Sequence, residues 1–189
     1  DLESLKEVFT SIKPDYIINC IGVLIKGANS HPDNAIFINS YLPHFLSKIS
    51  KELNAKVIHI STDCVFSGKT GSYYENSIKD ADDLYGRSKA LGELVNERDL
   101  TIRTSIIGPE LKVGEGLLDW VLKQTTDISG YTRSIWSGVT TLTLAKAIEE
   151  FLSKNITGIY HLTNNKQISK YELIKIISNT FNKTNIKIL

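Results

Sequence analysis

Methionine is absent from this chain of 189 residues, and cysteine occurs only twice. Cys20 and Cys64 have no Cys-x-x-Cys or Cys-x-x-His companion, and His31, His44, His59 and His161 show no ligand spacing, so no metal site is expected. The spacing permits a disulfide, but two buried thiols in a cytosolic setting is the simpler expectation. Neither sign of charge is in excess: 22 Lys and Arg stand against 21 Asp and Glu, with no basic block. That balance argues against a nucleic-acid partner or an anionic membrane surface. Long apolar runs are missing too. The longest, around Ile17 to Ile25, contains Asn19 and is too short to cross a bilayer. No signal-peptide pattern opens the chain, which begins in what reads as the middle of a helix, so residues are expected to precede Asp1.

The residues that are present describe a folded α/β domain. Hydrophobic residues make up 41% of the chain and charged residues 23%, which excludes disorder and fibrous classes. Leu2, Leu5, Val8, Phe9 and Ile12 fall at helical spacing, closed by Lys13-Pro14-Asp15. Residues 16–22 then form a short apolar run of the buried parallel-strand kind. Pro32 to Leu53 reads as a long amphipathic helix, with a kink or late start expected at Pro43. Strands are expected at 56–61 and 100–106, with a helix at 84–97 between them. This alternation predicts an open parallel sheet of Rossmann type. Past Pro109 the pattern loosens up to Gly138. A helix over 141–153, a strand at 158–163 and a helix over 169–181 follow. The expected division is residues 1–108 for the sheet domain and 109–189 for a smaller C-terminal lobe.

Tyr85 and Lys89 stand four residues apart on one helix face. A free phenol, with a pKa near ~10, is a poor proton shuttle at neutral pH. A neighbouring ammonium favours the phenolate and moves it toward the working range. The pair alone is a weak signal, since such spacing is common on solvated faces. Ser61-Thr62-Asp63 strengthens it, because it falls at the carboxyl end of a central strand, where open α/β sheets bind ligands. A hydroxyl there can hold a substrate carbonyl oxygen while tyrosine moves the proton. The alternative for Ser-Thr-Asp is a helix cap or turn.

The run STDCVFSG at 61–68, GSYYE at 71–75 and LYGRSKALGE at 84–93 resemble the dTDP-4-dehydrorhamnose reductases and their nucleotide-sugar relatives, extended short-chain dehydrogenases. Residues 100–110, 136–148 and 158–173 extend the resemblance over nearly the whole chain. It implies that Thr62 orients a sugar carbonyl, Tyr85 is the acid/base, and Lys89 holds both Tyr85 and the nicotinamide ribose. It implies further that Cys20, Ile21 and Gly22 line the adenosine and ribose part of NADP or NAD. Many relatives carry small residues at the first two of those positions. Asn39 would support Lys89 through water, Ile60 and Ser61 would face the nicotinamide, and Ile106 and Ile107 would lie near it. Asp63, Cys64, Val65 and Phe66 would open the nucleotide-sugar pocket from the sheet side. Trp136 is a candidate wall from the lobe, or equally a packing aromatic. Arg103 and Arg133 are candidates to reach a diphosphate, with neither favoured.

The glycine-rich turn that cradles a pyrophosphate is not in the sequence: neither Gly-x-Gly-x-x-Gly nor Gly-x-x-Gly-x-x-Gly occurs. With roughly 30 residues per βαβ unit, on the order of 50 residues are expected upstream. The resemblance implies reduction of a 4-keto nucleotide sugar in bacterial surface polysaccharide synthesis, with a homodimer as one permitted assembly. An epimerase or dehydratase of the same fold is the nearest alternative. Dehydratases place a second acid where this chain has Cys64, which favours the reductase. A second alternative is a regulatory nucleotide-binding protein, since relatives include regulatory subunits of methionine adenosyltransferase.

Overall fold

The computed structural model describes residues 1–111, 114, 116–183 and 186–189. In chain order its elements are α1 (Leu2–Ile12), β1 (Tyr16–Asn19), α2 (Ile25–Ser30), α3 (Pro32–Ala35), a π-helical segment (Ile36–Tyr41), α4 (Leu42–Glu52), β2 (Lys56–Ile60), α5 (Leu84–Leu91), β3 (Leu100–Arg103), β4 (Ile106–Ile107), α6 (Leu117–Lys123), β5 (Ile135–Trp136), β6 (Val139–Thr140), α7 (Thr141–Ser153), β7 (Gly158–His161), β8 (Ile168–Ser169) and α8 (Lys170–Thr180). They form two compact units. The first is Asp1–Thr104 with Asn155–His161, and the second is Ser105–Lys154 with Leu162–Leu189.

The first unit is an α/β layer around a parallel sheet ordered β1-β2-β3-β7. Val57, Ile58, Leu100 and Ile102 have no exposed surface, as expected for central parallel strands covered on both faces. Ile17, Leu42, Leu46, Val57 and Leu94 form one apolar cluster, and Leu2, Leu5 and Phe9 of α1 pack on it. Lys13, at φ 50°, ends α1 just ahead of Pro14. β1 stops at Asn19, short of the expected residue 22, because the Asn19 Oδ1 accepts the Ile21 N–H at 3.2 Å and turns the chain out of the ladder.

The helical run from Pro32 to Glu52 is continuous, and its irregularity lies just ahead of Pro43. Proline has no N–H to give the Asn39 carbonyl four residues back. The turn there widens to π geometry, with the Leu42 N–H reaching the Phe37 carbonyl. α5 is shorter than the expected 84–97. Beyond Gly92, both backbone groups of Leu94 bond the Thr101 hydroxyl at 3.0 Å, which redirects the chain into β3. The strand expected over 100–106 breaks after Arg103, and Ile106–Ile107 pair instead with Val139–Thr140 in the second unit. The short helices α2 and α6 have no clear apolar period in the sequence and were not expected.

The second unit has its own core of Val121, Ile128, Leu173, Ile174, Ile177 and Ile186. α8 starts with a capping box, in which Ser169 and Glu172 satisfy each other's backbone N–H groups. Among the described residues, no helix is long and apolar enough to cross a membrane.

Candidate active site

The site in the first unit is built where β2 ends. Thr62 is buried and extended, and its hydroxyl accepts the Cys64 N–H at 3.1 Å, capping the short turn Asp63–Val65. Ser61-Thr62-Asp63 is therefore a turn cap, and the same threonine also meets the phenol of Tyr85.

Two glycines explain how α5 reaches this place. Asp83 caps the helix by accepting the Gly86 N–H at 2.8 Å. A Cβ on Gly86 would stand 2.2 Å from the Cys64 carbonyl oxygen, and one on Gly92 would stand 1.9 Å from the Asn39 carbonyl oxygen. Only glycine permits such backbone approach. α5 is thus seated at one end on the loop after β2 and at the other on the π segment. Tyr85 is half-buried and Lys89 is 4% exposed.

The electrostatics differ from the simple expectation. Burial pushes the Tyr85 phenol up to about 12, and the Thr62 hydroxyl only partly offsets this, while Cys64, Asp63 and Asp83 add to the rise. The net lowering expected from an adjacent ammonium is not found. Burial draws Lys89 down to about 8, with Glu93 and then Cys20 favouring its charged form. Its ammonium donates to the Ile60 carbonyl at 2.7 Å.

Asn39 is fully buried, but its contacts run to protein groups. Its Oδ1 accepts the Val23 N–H at 2.8 Å, and its amide donates to the Val23 carbonyl at 2.9 Å and the Ser88 hydroxyl at 3.0 Å. It ties the loop after β1 to the residue preceding Lys89. Cys20, Ile21 and Gly22 lie in that loop and are exposed. The expectation of two buried thiols is corrected: both cysteines are free, Cys20 is exposed, and Cys64 is half-buried. Partial desolvation by its neighbours raises the Cys20 thiol against the Lys89 charge, and burial then Asp63 raise Cys64, so neither is activated as a thiolate.

Arg103 is also corrected as a diphosphate candidate. It is 3% exposed and committed to Glu93, at 2.7 Å through Nε and 2.8 Å through Nη2, with Phe66 beneath it. His59 is a core residue. The Asn19 amide donates to its Nδ1 at 3.1 Å, and burial, then the Lys89 and His44 charges, hold it neutral.

Gly22, Asn39, Ile60, Ser61, Thr62, Cys64, Val65, Tyr85 and Lys89 thus belong to one unit, while Ile106, Ile107 and Trp136 belong to the other. Trp136 donates its indole N–H to Ser105 at 2.9 Å and lines a groove of about 680 Å³ with Asn164, Ile168, Leu173 and Lys175, all residues of the second unit. Arg133 is exposed there. No group of three or more His, Cys, Asp or Glu side chains among the described residues is arranged to hold a metal. Sequence reading missed Glu93 as part of the site's surroundings. Its position one turn after Lys89 was the available signal.

The RmlD substrate-binding domain family model matches residues 1–188. The chain belongs to that family. Among RmlD relatives, the spore coat polysaccharide biosynthesis protein SpsK of Bacillus subtilis is 30% identical over 186 residues, covering 94% of this chain and 65% of that protein. The methionine adenosyltransferase 2 subunit beta of Xenopus laevis is 27% identical over 198 residues, covering 96% and 59%. A crystal structure of the dTDP-4-dehydrorhamnose reductase of Bacillus anthracis in complex with NADP is 26% identical, with a TM-score of 0.87 over all of this chain and 70% of that one. The chain therefore spans about three fifths of the length of these two curated relatives.

Proposed function

We propose that this chain carries the reacting groups of an NAD(P)H-dependent reductase of a 4-keto nucleotide sugar, acting in surface polysaccharide synthesis. The observation that carries the reading is the seating of α5, through Gly86 on the Cys64 carbonyl, which sets Tyr85 against Thr62. In this reading the first unit holds the cofactor and the reacting groups, and the second is the substrate-binding lobe.

The cofactor is tested against the residues present. The Lys89 ammonium has three N–H donors, and among the described hydrogen bonds it makes one, to Ile60. A Cβ on Gly22 would fall 4.0 Å from that ammonium and 3.6 Å from the Asn39 Oδ1, so the bare glycine leaves a cradle at the end of β1. These residues fit ribose hydroxyls. The nicotinamide, when bound, supplies the hydride. The chain's own groups do the rest. Thr62 orients the carbonyl oxygen, and Tyr85 donates the proton that the new alkoxide requires. A phenol held near 12 is fully protonated at neutral pH, the state an acid needs before donation. Lys89 orients the ribose and stabilises the phenolate left behind.

The experiment is NADPH consumption by the full-length protein against a panel of 4-keto nucleotide sugars, beside Tyr85→Phe. Consumption with one sugar, reduced about 10²-fold or more in the variant, is the expected result. The similarity to the methionine adenosyltransferase subunit supports a second reading, a nucleotide-binding regulator. A regulator keeps its effect on a partner enzyme in Tyr85→Phe and consumes no NADPH in either form.

A further inference from the structure

α5 and the residue just past its C-cap grip the end of β2 at two successive residues. Lys89 holds the Ile60 carbonyl at 2.7 Å, and one turn later the Glu93 carboxylate accepts the Ser61 hydroxyl at 2.9 Å. The Glu93 side chain has no exposed surface. It takes Arg103 side-on and Lys79 at 3.1 Å. Arg103 in turn donates to the Glu75 carbonyl at 3.0 Å and lies 3.1 Å from His161 Nε2. One carboxylate just past α5 therefore joins the end of β2, β3 and the segment before α5. Desolvating such a pair costs stability that apolar residues in the same space would not. The carboxylate bonds the residue that precedes Thr62.

We infer that Glu93 is a positioning residue of this site: holding Ser61 while Lys89 holds Ile60, it sets Thr62 relative to Tyr85. Its negative charge also favours the ammonium form of Lys89. The inference rests on reading Tyr85 and Lys89 as the reacting groups. The charged and titratable groups acting on Lys89 are Glu93, just past the end of its helix, and Cys20 beyond β1, both favouring the ammonium against burial. The lysine in turn lowers His59 on β2, which is already neutral. Burial alone would raise Glu93. Arg103 first, then Lys79 and Ser61, outweigh it and hold the carboxyl below its usual range, so Glu93 is ionised wherever Lys89 titrates.

The test is a pH titration of the Lys89 side chain by NMR in lysine-labelled protein, its resonance assigned with Lys89→Arg. Glu93→Gln is expected to lower the Lys89 midpoint by about one pH unit. Glu93→Asp, which keeps the charge, is expected to recover most of it. An unmoved midpoint in folded Glu93→Gln overturns the inference. That variant leaves Arg103 buried without its partner, so Lys79→Met serves if it does not fold. Lys79 is 32% exposed and shares the charge of Glu93, so its removal should raise the Lys89 midpoint, and no change there also overturns the inference. In the full-length protein, Glu93→Gln is expected to lower kcat about tenfold or more while KM moves less. A midpoint that moves in a protein without reductase activity keeps this inference and sinks the reductase. An unmoved midpoint in an active reductase does the reverse.

Discussion

Tyr85 and Lys89 share one burial, and it acts on them in opposite directions. Desolvation disfavours the charged form of each, so the phenol rises to about 12 and the ammonium falls to about 8. For proton donation both must be protonated, and Lys89 is the first to lose its proton as pH rises. The kcat/KM of the proposed reduction is therefore expected to fall above pH about 8, measured as a pH–rate profile. Stability follows a separate sign. Between about 8 and the ~10.4 of an unfolded lysine, the unfolded chain binds the extra proton, so stability contributed by Lys89 rises with pH there. Above ~10 the unfolded chain releases its tyrosine proton while native Tyr85 keeps it, and that contribution falls. Thermal melts across pH 7.5–9.5 against Lys89→Met check the first sign, because the rise should be absent from the variant.

At the scale of elements, α5 owes its place more to its glycines than to its apolar residues. Leu91 is 68% exposed, whereas Gly86 and Gly92 touch backbone. Gly92→Ala would drive a methyl into the Asn39 carbonyl and is expected to destabilise by about 1–3 kcal/mol in urea unfolding. Asp83→Ala removes only the cap of α5 and should cost about 1 kcal/mol. A smaller loss in Gly92→Ala than in Asp83→Ala would show that the π segment yields to the helix. The tyrosine–lysine spacing was legible in the sequence because it is local, and so was the amphipathic run from Pro32. The π segment was not legible. Pro43 marked an irregularity, but its form depended on α5 lying against the Asn39 carbonyl. Asn39 was singled out by resemblance as a support for Lys89, and the fold commits it to Val23 and Ser88.

Across the molecule, each unit has an apolar cluster of its own among the described residues. Leu46 in the first is 3% exposed and Ile174 in the second is 2% exposed. Truncating either to alanine should cost about 2–5 kcal/mol. The two share no cluster, so the double variant should lose the sum within about 0.5 kcal/mol in urea unfolding. A marked departure from additivity would show that the two substitutions are energetically coupled. Chain order does not follow these units, since β7 comes after most of the second unit yet pairs with β3 in the first.

Composition and periodicity by themselves determined the α/β class, the parallel strands and the facing of Tyr85 with Lys89, since each depends on residues within a turn or a strand of one another. The order STDCVFSG to YGRSK was sufficient to mark the groups proposed to react. Tertiary structure alone decided the rest. It raised the phenol and lowered the ammonium, because desolvation is set by everything packed around a group. It withdrew Arg103 from ligand duty by burying it on Glu93, and it brought Glu93 against Ser61, next to Thr62, through contacts distant in sequence. Such effects depend on neighbours distant in sequence, and no local pattern in the sequence carries them.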